Sequence, residues 1–333
     1  MRIIVCSPGY KNKFAGFYYA FDKKILNGLI RAGHNVIHFR DREESRIAHT
    51  KVLAIGKTRA NLSLLEIAEH FRPEMIALFH ADVVTNETLT KLRTAHPGCL
   101  VVNVDCDALV DGHVMTRMVA RGPVCDLSFV TTAGPALAAL RASGVPARYI
   151  PNPTDASMED VDAFAADEKN ADLVYMSSYA RKAAQWRFLD AVAAAAPELA
   201  IVRYGIDKQR LLGRAYFEAL KRARAALNWG KHNDVPFYSS DRIGQLFGAG
   251  VCVAMPRGSG FRRFLGEEDA LFFDGAEDLA ARLRRAVADE SWRAIGRAGQ
   301  ARYRALFNER RVAEFLVAAA TGDDVAGYEW ADL

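Results

Sequence analysis

The sequence has no apolar run long enough to span a membrane, and its opening residues, MRIIVCSPGY, lack the extended apolar core of a secretion signal. Cysteine is sparse. Cys6, Cys99, Cys106, Cys125 and Cys252 form no CxxC pair and no metal-ligand spacing, which excludes a disulfide scaffold and leaves buried free thiols in a reducing cytoplasm as the expectation. Charge of one sign is also lacking: a net charge of +4 with 25% charged residues makes no case for a nucleic-acid partner. The glycines after the first apolar run, Gly9 and Gly16, do not complete GxGxxG, so no dinucleotide fingerprint is present.

What is present is 50% hydrophobic residues in 333, enough for two domains with substantial cores. Short apolar runs at 3–6, 36–39, 75–79, 100–104 and 127–130 alternate with helical patterns at 17–31, 62–71, 86–95 and 135–143. That alternation predicts a parallel sheet covered on both faces. Pro151 and Pro153 hold the chain extended around Asn152 and mark a change of domain, followed by a polar linker or surface helix at 155–170. A second alternation follows, with strands near 173–176, 200–202, 225–229, 251–255 and 270–273 and helices between and after them. The expected division is 1–150, 151–320 and an acidic, loose tail at 321–333, in which Tyr328 and Trp330 are candidates to dock. A last helix capped by Asn308 would cross back to the first domain.

The stretch 238–261, YSSDRIGQLFGAGVCVAMPRGSGF, reads as loop, short helix, glycine stop, buried strand and glycine loop. Ser239 and Ser240 suit a helix N-cap and Asp241 its first turn. Ile243, Leu246 and Phe247 make one apolar face, while Arg242 and Gln245 share another. Gly250 suits the C-terminal stop. Gly258-Ser259-Gly260 falls at the carboxyl end of the strand, where open α/β sheets bind ligands. The arrangement fits an anion site: helix N–H groups, an Arg242 fork for phosphate, Gln245 for a sugar hydroxyl, and glycine backbone approaching closely. An ordinary capped helix with Arg242 in a surface ion pair is the competing reading.

The turn Gly33-His34-Asn35-Val36 resembles the GHxV turn of GT-B glycosyltransferases, and Tyr149-Ile150-Pro151-Asn152-Pro153 resembles their interdomain link. From 239 to about 317 the chain is similar to the C-terminal domain of group 1 glycosyltransferases, particularly the spore-maturation-protein CgeB-like branch. The pieces that carry it are SDRIGQLFGAGVCVA, GF, GEEDALFF, DLAARLRRAV and ARYRALFN. The resemblance implies an α/β protein of GT-B type, two Rossmann-like doubly wound domains facing a cleft. It implies transfer of a sugar from a nucleotide-diphosphate sugar, as co-substrate without a further cofactor, to a glycan or lipid-linked acceptor. Surface polysaccharide or glycan synthesis in the cytoplasm is the setting it suggests. Carried over by position, Arg242 would meet the donor diphosphate and Gln245 the ribose hydroxyls. Ser240, Gly258, Ser259, Gly260 and Phe261 would line the donor, and Arg181, Lys182 and Lys231 would add positive charge.

Two departures stand out. Gln245 occupies the place of a family Glu, and Phe237 stands eight positions earlier where a second acid is usual; Asp234 is out of register. Retention against inversion is therefore open, as is a catalytically silent scaffold that binds a nucleotide or a protein. A nucleotide-sugar epimerase is a third reading. Asp105-Cys106-Asp107 has DxD spacing at a strand end, but no metal is assigned to it; Asp105, Asp107 and His80 are the candidates for the acceptor base. Their plain alternatives are caps and a backbone-bonded histidine. His34 is read as structural, His232 and Asn233 as loop residues near the donor, and Tyr10 to Lys13 as a basic loop after the first strand. The late arginines, from Arg257 to Arg311, offer peripheral contact with anionic lipid headgroups as a second use.

Overall fold

The computed structural model describes residues 1–9, 16–48, 53–177 and 183–333. The chain divides into two compact units, Met1–Pro151 with Glu309–Leu333, and Asn152–Asn308.

The first unit begins β1 (Arg2–Ser7), α1 (Phe21–Arg31), β2 (Asn35–Arg40), α2 (Asp41–Ala48), α3 (Leu53–Phe71), β3 (Met75–Phe79), α4 (Asn86–Ala95) and β4 (Leu100–Asp105). It continues α5 (Gly112–Arg121), β5 (Leu127–Val130), α6 (Pro135–Ala142) and β6 (Ala147–Tyr149). The six strands are parallel, in the order β2-β1-β3-β4-β5-β6. Ile3, Ile4, Val5 and Cys6 are all buried, as a strand covered on both faces requires. Strand β6 lies in the stretch that read as the start of the link. Its Ala147 and Tyr149 are buried, and it pairs with β5.

The second unit holds β7 (Ala171–Met176), α7 (Ala183–Ala195), β8 (Ile201–Tyr204), α8 (Arg214–Lys221), β9 (Ala223–Leu227) and α9 (Arg242–Gly248). Then come β10 (Cys252–Pro256), β11 (Leu271–Phe273), α10 (Ala276–Ala288) and α11 (Ser291–Phe307). Its parallel sheet has the order β11-β10-β9-β7-β8. The stretch 155–170, expected as linker or surface, is partly interior. Thr154, Asp155 and Glu159 are fully buried, and the Glu159 carboxylate accepts from Thr154 Oγ1 (2.9 Å) and from the Asp155 N–H (2.6 Å). Gly248 makes room for it, since a Cβ there would lie 2.3 Å from Thr154 Oγ1.

The last helix, α12 (Glu309–Thr321), belongs to the first unit, not to a second domain running to 320. It buries Val312, Ala313, Phe315 and Leu316. Gly28 of α1 lets it approach: a Cβ at that position would stand 2.1 Å from the Glu309 carbonyl oxygen. Arg31 and the Glu309 carboxylate form an ion pair at the same contact. The tail beyond α12 is not loose throughout. Trp330 is fully buried, its ring 5.4 Å from that of Phe315, with the Arg311 guanidinium 5.4 Å above it.

Candidate functional site

In the second unit the strand ends gather polar groups. After β9 the chain places Asn228, whose Nδ2 donates to Ser239 Oγ at 3.1 Å. After β10 it makes a tight turn at Arg257–Ser259, and Gly260 takes the left-handed conformation with φ +85°. Ser259 is only 5% exposed, and its Oγ has no hydrogen-bond partner among the described residues. A buried hydroxyl left unsatisfied is costly, which marks it as a group that awaits a partner. It lines a narrow pocket of about 20 Å³ with Asn228, Asn233, Ser239 and Ser240, room for about one water-sized polar group.

Arg242 opens α9 beside this pocket. Its Nη1 donates to the Trp229 carbonyl at 2.7 Å, and its guanidinium lies 5.3 Å from the Tyr175 ring centroid. The surface ion pair of the competing reading is not seen: among the described residues Arg242 has no carboxylate partner. The side chain is positioned while its charge stays uncompensated. Ser239 and Ser240 do not cap the helix. The residue at the N-cap is Asp241, without a side-chain capping bond, and Ser239 is spent on Asn228 and the Ser240 carbonyl. Gln245 is 8% exposed and its Nε2 donates to Asp241 Oδ2 at 3.0 Å, so the amide expected to reach a diol is tied to a neighbouring carboxylate.

Around Gly258 the space is open. Phe261, expected to line a donor sugar, is instead interior: 2% exposed, its ring lies 6.3 Å from Phe237 and 6.5 Å from Phe264. Phe237 explains why no acid stands at its position. It has φ +58°, donates its N–H to the Ser259 carbonyl at 2.8 Å, and fills this aromatic cluster. Lys231 is on an exposed loop. Arg181 and Lys182 lie outside the described residues, as do Tyr10 to Lys13. Sequence reading missed Trp229, whose ring stacks on Phe188 at 3.9 Å, and Tyr175; an aromatic residue within or just past a buried strand was the available signal.

In the first unit, His80 follows β3 with φ +47°, and Asp105 ends β4. His80 Nε2 lies 3.7 Å from Asp105 Oδ1 and 3.3 Å from Cys106 Sγ, while Nδ1 lies 4.0 Å from Asp107 Oδ2. The three residues that sequence brought forward as acceptor bases are therefore together. Their ligand atoms sit within 4.8 Å of one another, close enough to share a cation. A protein cation is already there. Arg117 of α5 donates Nε to Asp105 Oδ2 at 2.8 Å and Nη2 to Asp107 Oδ2 at 3.1 Å. Burial alone would lower the Arg117 pKa, but the two carboxylates outweigh it and raise it. A cavity of about 120 Å³ opens on the cluster, lined also by Arg42, Asn103 and Arg121.

Residues 181–318 match the family model described as "Glycosyl transferase-like". No curated protein sequence matches the chain. Among solved structures, the chain resembles Anabaena HepE in complex with UDP and glucose, at 12% identity and TM-score 0.62, covering 97% of this chain and 100% of that one. It also resembles sucrose-phosphate synthase from Thermosynechococcus elongatus, at 15% identity and TM-score 0.59, covering 97% and 99%. A UDP-forming trehalose-phosphate synthase from Burkholderia vietnamiensis matches at 14% identity and TM-score 0.57, covering 97% and 100%. The chain has the GT-B fold of two Rossmann-like units, and its residues 181–318 are similar to the glycosyl transferase-like family.

Proposed function

We propose that the protein transfers a sugar from a nucleoside-diphosphate sugar to an acceptor hydroxyl, with the donor held by the second unit. One observation carries this reading: Arg242 is fixed by a carbonyl and a ring, has no carboxylate partner among the described residues, and stands beside the pocket that holds the unsatisfied Ser259 hydroxyl. A positioned guanidinium without a carboxylate partner among the described residues, next to the unsatisfied Ser259 hydroxyl, suits the charge that develops on a departing diphosphate. Ser240 and Ser259 would supply hydrogen bonds, and Gly258 leaves backbone open. Arg181, Lys182 and Lys231 add positive charge. HepE has been solved with UDP and with UDP-glucose, so uridine donors come first in any trial.

For the acceptor side, His80 is the best candidate base. Arg117 holds both carboxylates in ion pairs, whereas the His80 imidazole lines the same cavity with Asp105 and Cys106 beside Nε2 and Asp107 beside Nδ1. The acceptor is a glycan or a lipid-linked sugar. A silent nucleotide-binding scaffold is the second reading, favoured by Phe237 in place of an acid. The two separate on release of nucleoside diphosphate from a panel of nucleotide sugars with and without simple glycan acceptors. Release with one donor supports the transferase. Binding without any release across the panel replaces it by the scaffold.

A further inference from the structure

The cavity beside His80 has a wall rich in lone pairs. His80, Asp105 and Asp107 bring one ligand atom each to within 4.8 Å of the others. His80 Nε2 and Asp105 Oδ1 stand 3.7 Å apart, too far for a hydrogen bond. A tetrahedral cation with bonds of about 2.1 Å sets neighbouring ligand atoms roughly 3.4 Å apart, so a small contraction lets the two share an ion. Cys106 Sγ lies 3.3 Å from the same nitrogen. Asn103 is an independent sign. It stands two residues before Asp105 on β4, hence on the same face. It is 8% exposed and lines the cavity. Its Nδ2 donates only to the Met118 sulfur, at 3.2 Å, and its Oδ1 accepts no hydrogen bond among the described residues. A nearly buried amide oxygen in that state calls for a donor or a cation.

The cationic side chains of the wall do not fill that role. Arg42 donates to Asp82, and Arg121 to Asn86 Oδ1 and the Ala81 and Val84 carbonyls. Arg117 takes Asp105 and Asp107 through their Oδ2 atoms. Asp105 Oδ1 accepts the Asp107 N–H at 3.0 Å, which leaves that oxygen a second lone pair. We propose that His80, Asp105 and Asp107 bind a divalent transition cation of the zinc class, with Cys106 beside it. Imidazole with a sulfur close by favours zinc over magnesium, which prefers oxygen ligands and keeps its waters. Arg117 stays on the Oδ2 atoms and orients the carboxylates. The ion occupies the His80 nitrogen and withholds the lone pair that an acceptor hydroxyl needs, so zinc arrests transfer and leaves nucleotide affinity alone. That consequence rests on the transferase reading with His80 as base; binding of the ion rests on neither.

Calorimetric titration of the reduced full chain with zinc chloride tests the site. One ion should bind per chain, and magnesium chloride should not compete for it. His80→Asn and Asp107→Asn change side chains that are not buried, and their metal-free melting temperatures show whether each folds. Each should weaken zinc by about tenfold or more, since even an outer-shell partner is worth that much. A wild-type chain that takes up no zinc would overturn the site. So would unchanged zinc affinity in both folded variants, which would place the ion on other histidines. In a transfer assay zinc should stop turnover and a chelator restore it. Zinc bound with transfer undiminished would keep the site and take the base away from His80. The titration decides the site whether or not the chain transfers a sugar.

Discussion

Arg117 and Arg242 carry the same charge into opposite circumstances. Arg117 bridges Asp105 and Asp107, so its single charge is met by two carboxylates. Arg242 rests on a carbonyl and a tyrosine ring. Sequence spacing placed Arg242 at a helix start and the two aspartates at a strand end, but which cation is already neutralised depends on side chains brought in from other elements. His80 follows from that comparison. His80→Asn tolerates the positive φ of this position, and we predict that it lowers turnover by about 100-fold or more while nucleotide affinity holds. Unchanged turnover would take the base away from His80. A second histidine makes a prediction about stability. His38 Nε2 lies 2.8 Å from Ser7 Oγ, to which Lys23 Nζ also donates at 3.1 Å. Burial first, and the Lys23 ammonium second, lower its pKa to about 4. The unfolded chain takes up this proton near pH 6.5 and the folded one does not, so His38 costs stability as pH falls from 6.5 towards 4. The cost is roughly 3 kcal/mol over that range. Asp41, raised to about 6 chiefly by burial, works in the other direction, because its folded form gains a proton as pH falls through 6. The difference between wild-type and His38→Gln unfolding curves isolates the histidine. It should grow in favour of the variant below pH 6.5, and a constant difference would contradict the assignment.

Secondary-structure elements were legible where apolar runs were short and bounded, as for β3 and for α10 at Ala276–Ala288. They were not legible where tertiary contact decides. Strand β6 has three residues and exists because β5 offers an edge. The tail, read as acidic and loose but for Tyr328 and Trp330 as candidates to dock, orders around Trp330 because Phe315 and Arg311 receive its ring. The return of the last helix to the first domain was read from sequence, but its close approach to α1 depends on Gly28, an unremarkable helix-interior glycine in sequence. Alanine in a helix interior ordinarily gains about 1 kcal/mol over glycine. At Gly28 the added Cβ would meet a backbone carbonyl that cannot rotate away, so we expect Gly28→Ala to destabilise the first unit by about 1–3 kcal/mol. Denaturant unfolding of that variant measures it, and a gain in stability would mean that α12 sits further from α1.

At the scale of the molecule the chain passes between its two units twice, after Pro151 and after Asn308. The two alternating patterns and the proline link were enough to read two parallel sheets. The strand orders were not readable, because apolar runs show that strands are buried and not which neighbour each one has. The polar region at the strand ends of the second unit was legible as the helix start and glycine loop. Its chemistry moved: Phe261 and Gln245 turned inward, while Ser259, Trp229 and Tyr175 shape the place where Arg242 stands. Thermal unfolding with a panel of nucleoside diphosphates and their sugars, on wild type and Arg242→Ala, tests the central claim most directly. A nucleotide bound only by the folded chain at about 100 times its Kd adds roughly 2.7 kcal/mol. The account predicts a raised melting temperature for wild type with one base family, and an affinity weaker by about 10-fold or more in Arg242→Ala, the loss expected for a charged hydrogen bond. Absence of any shift, or equal shifts in both proteins, would contradict it.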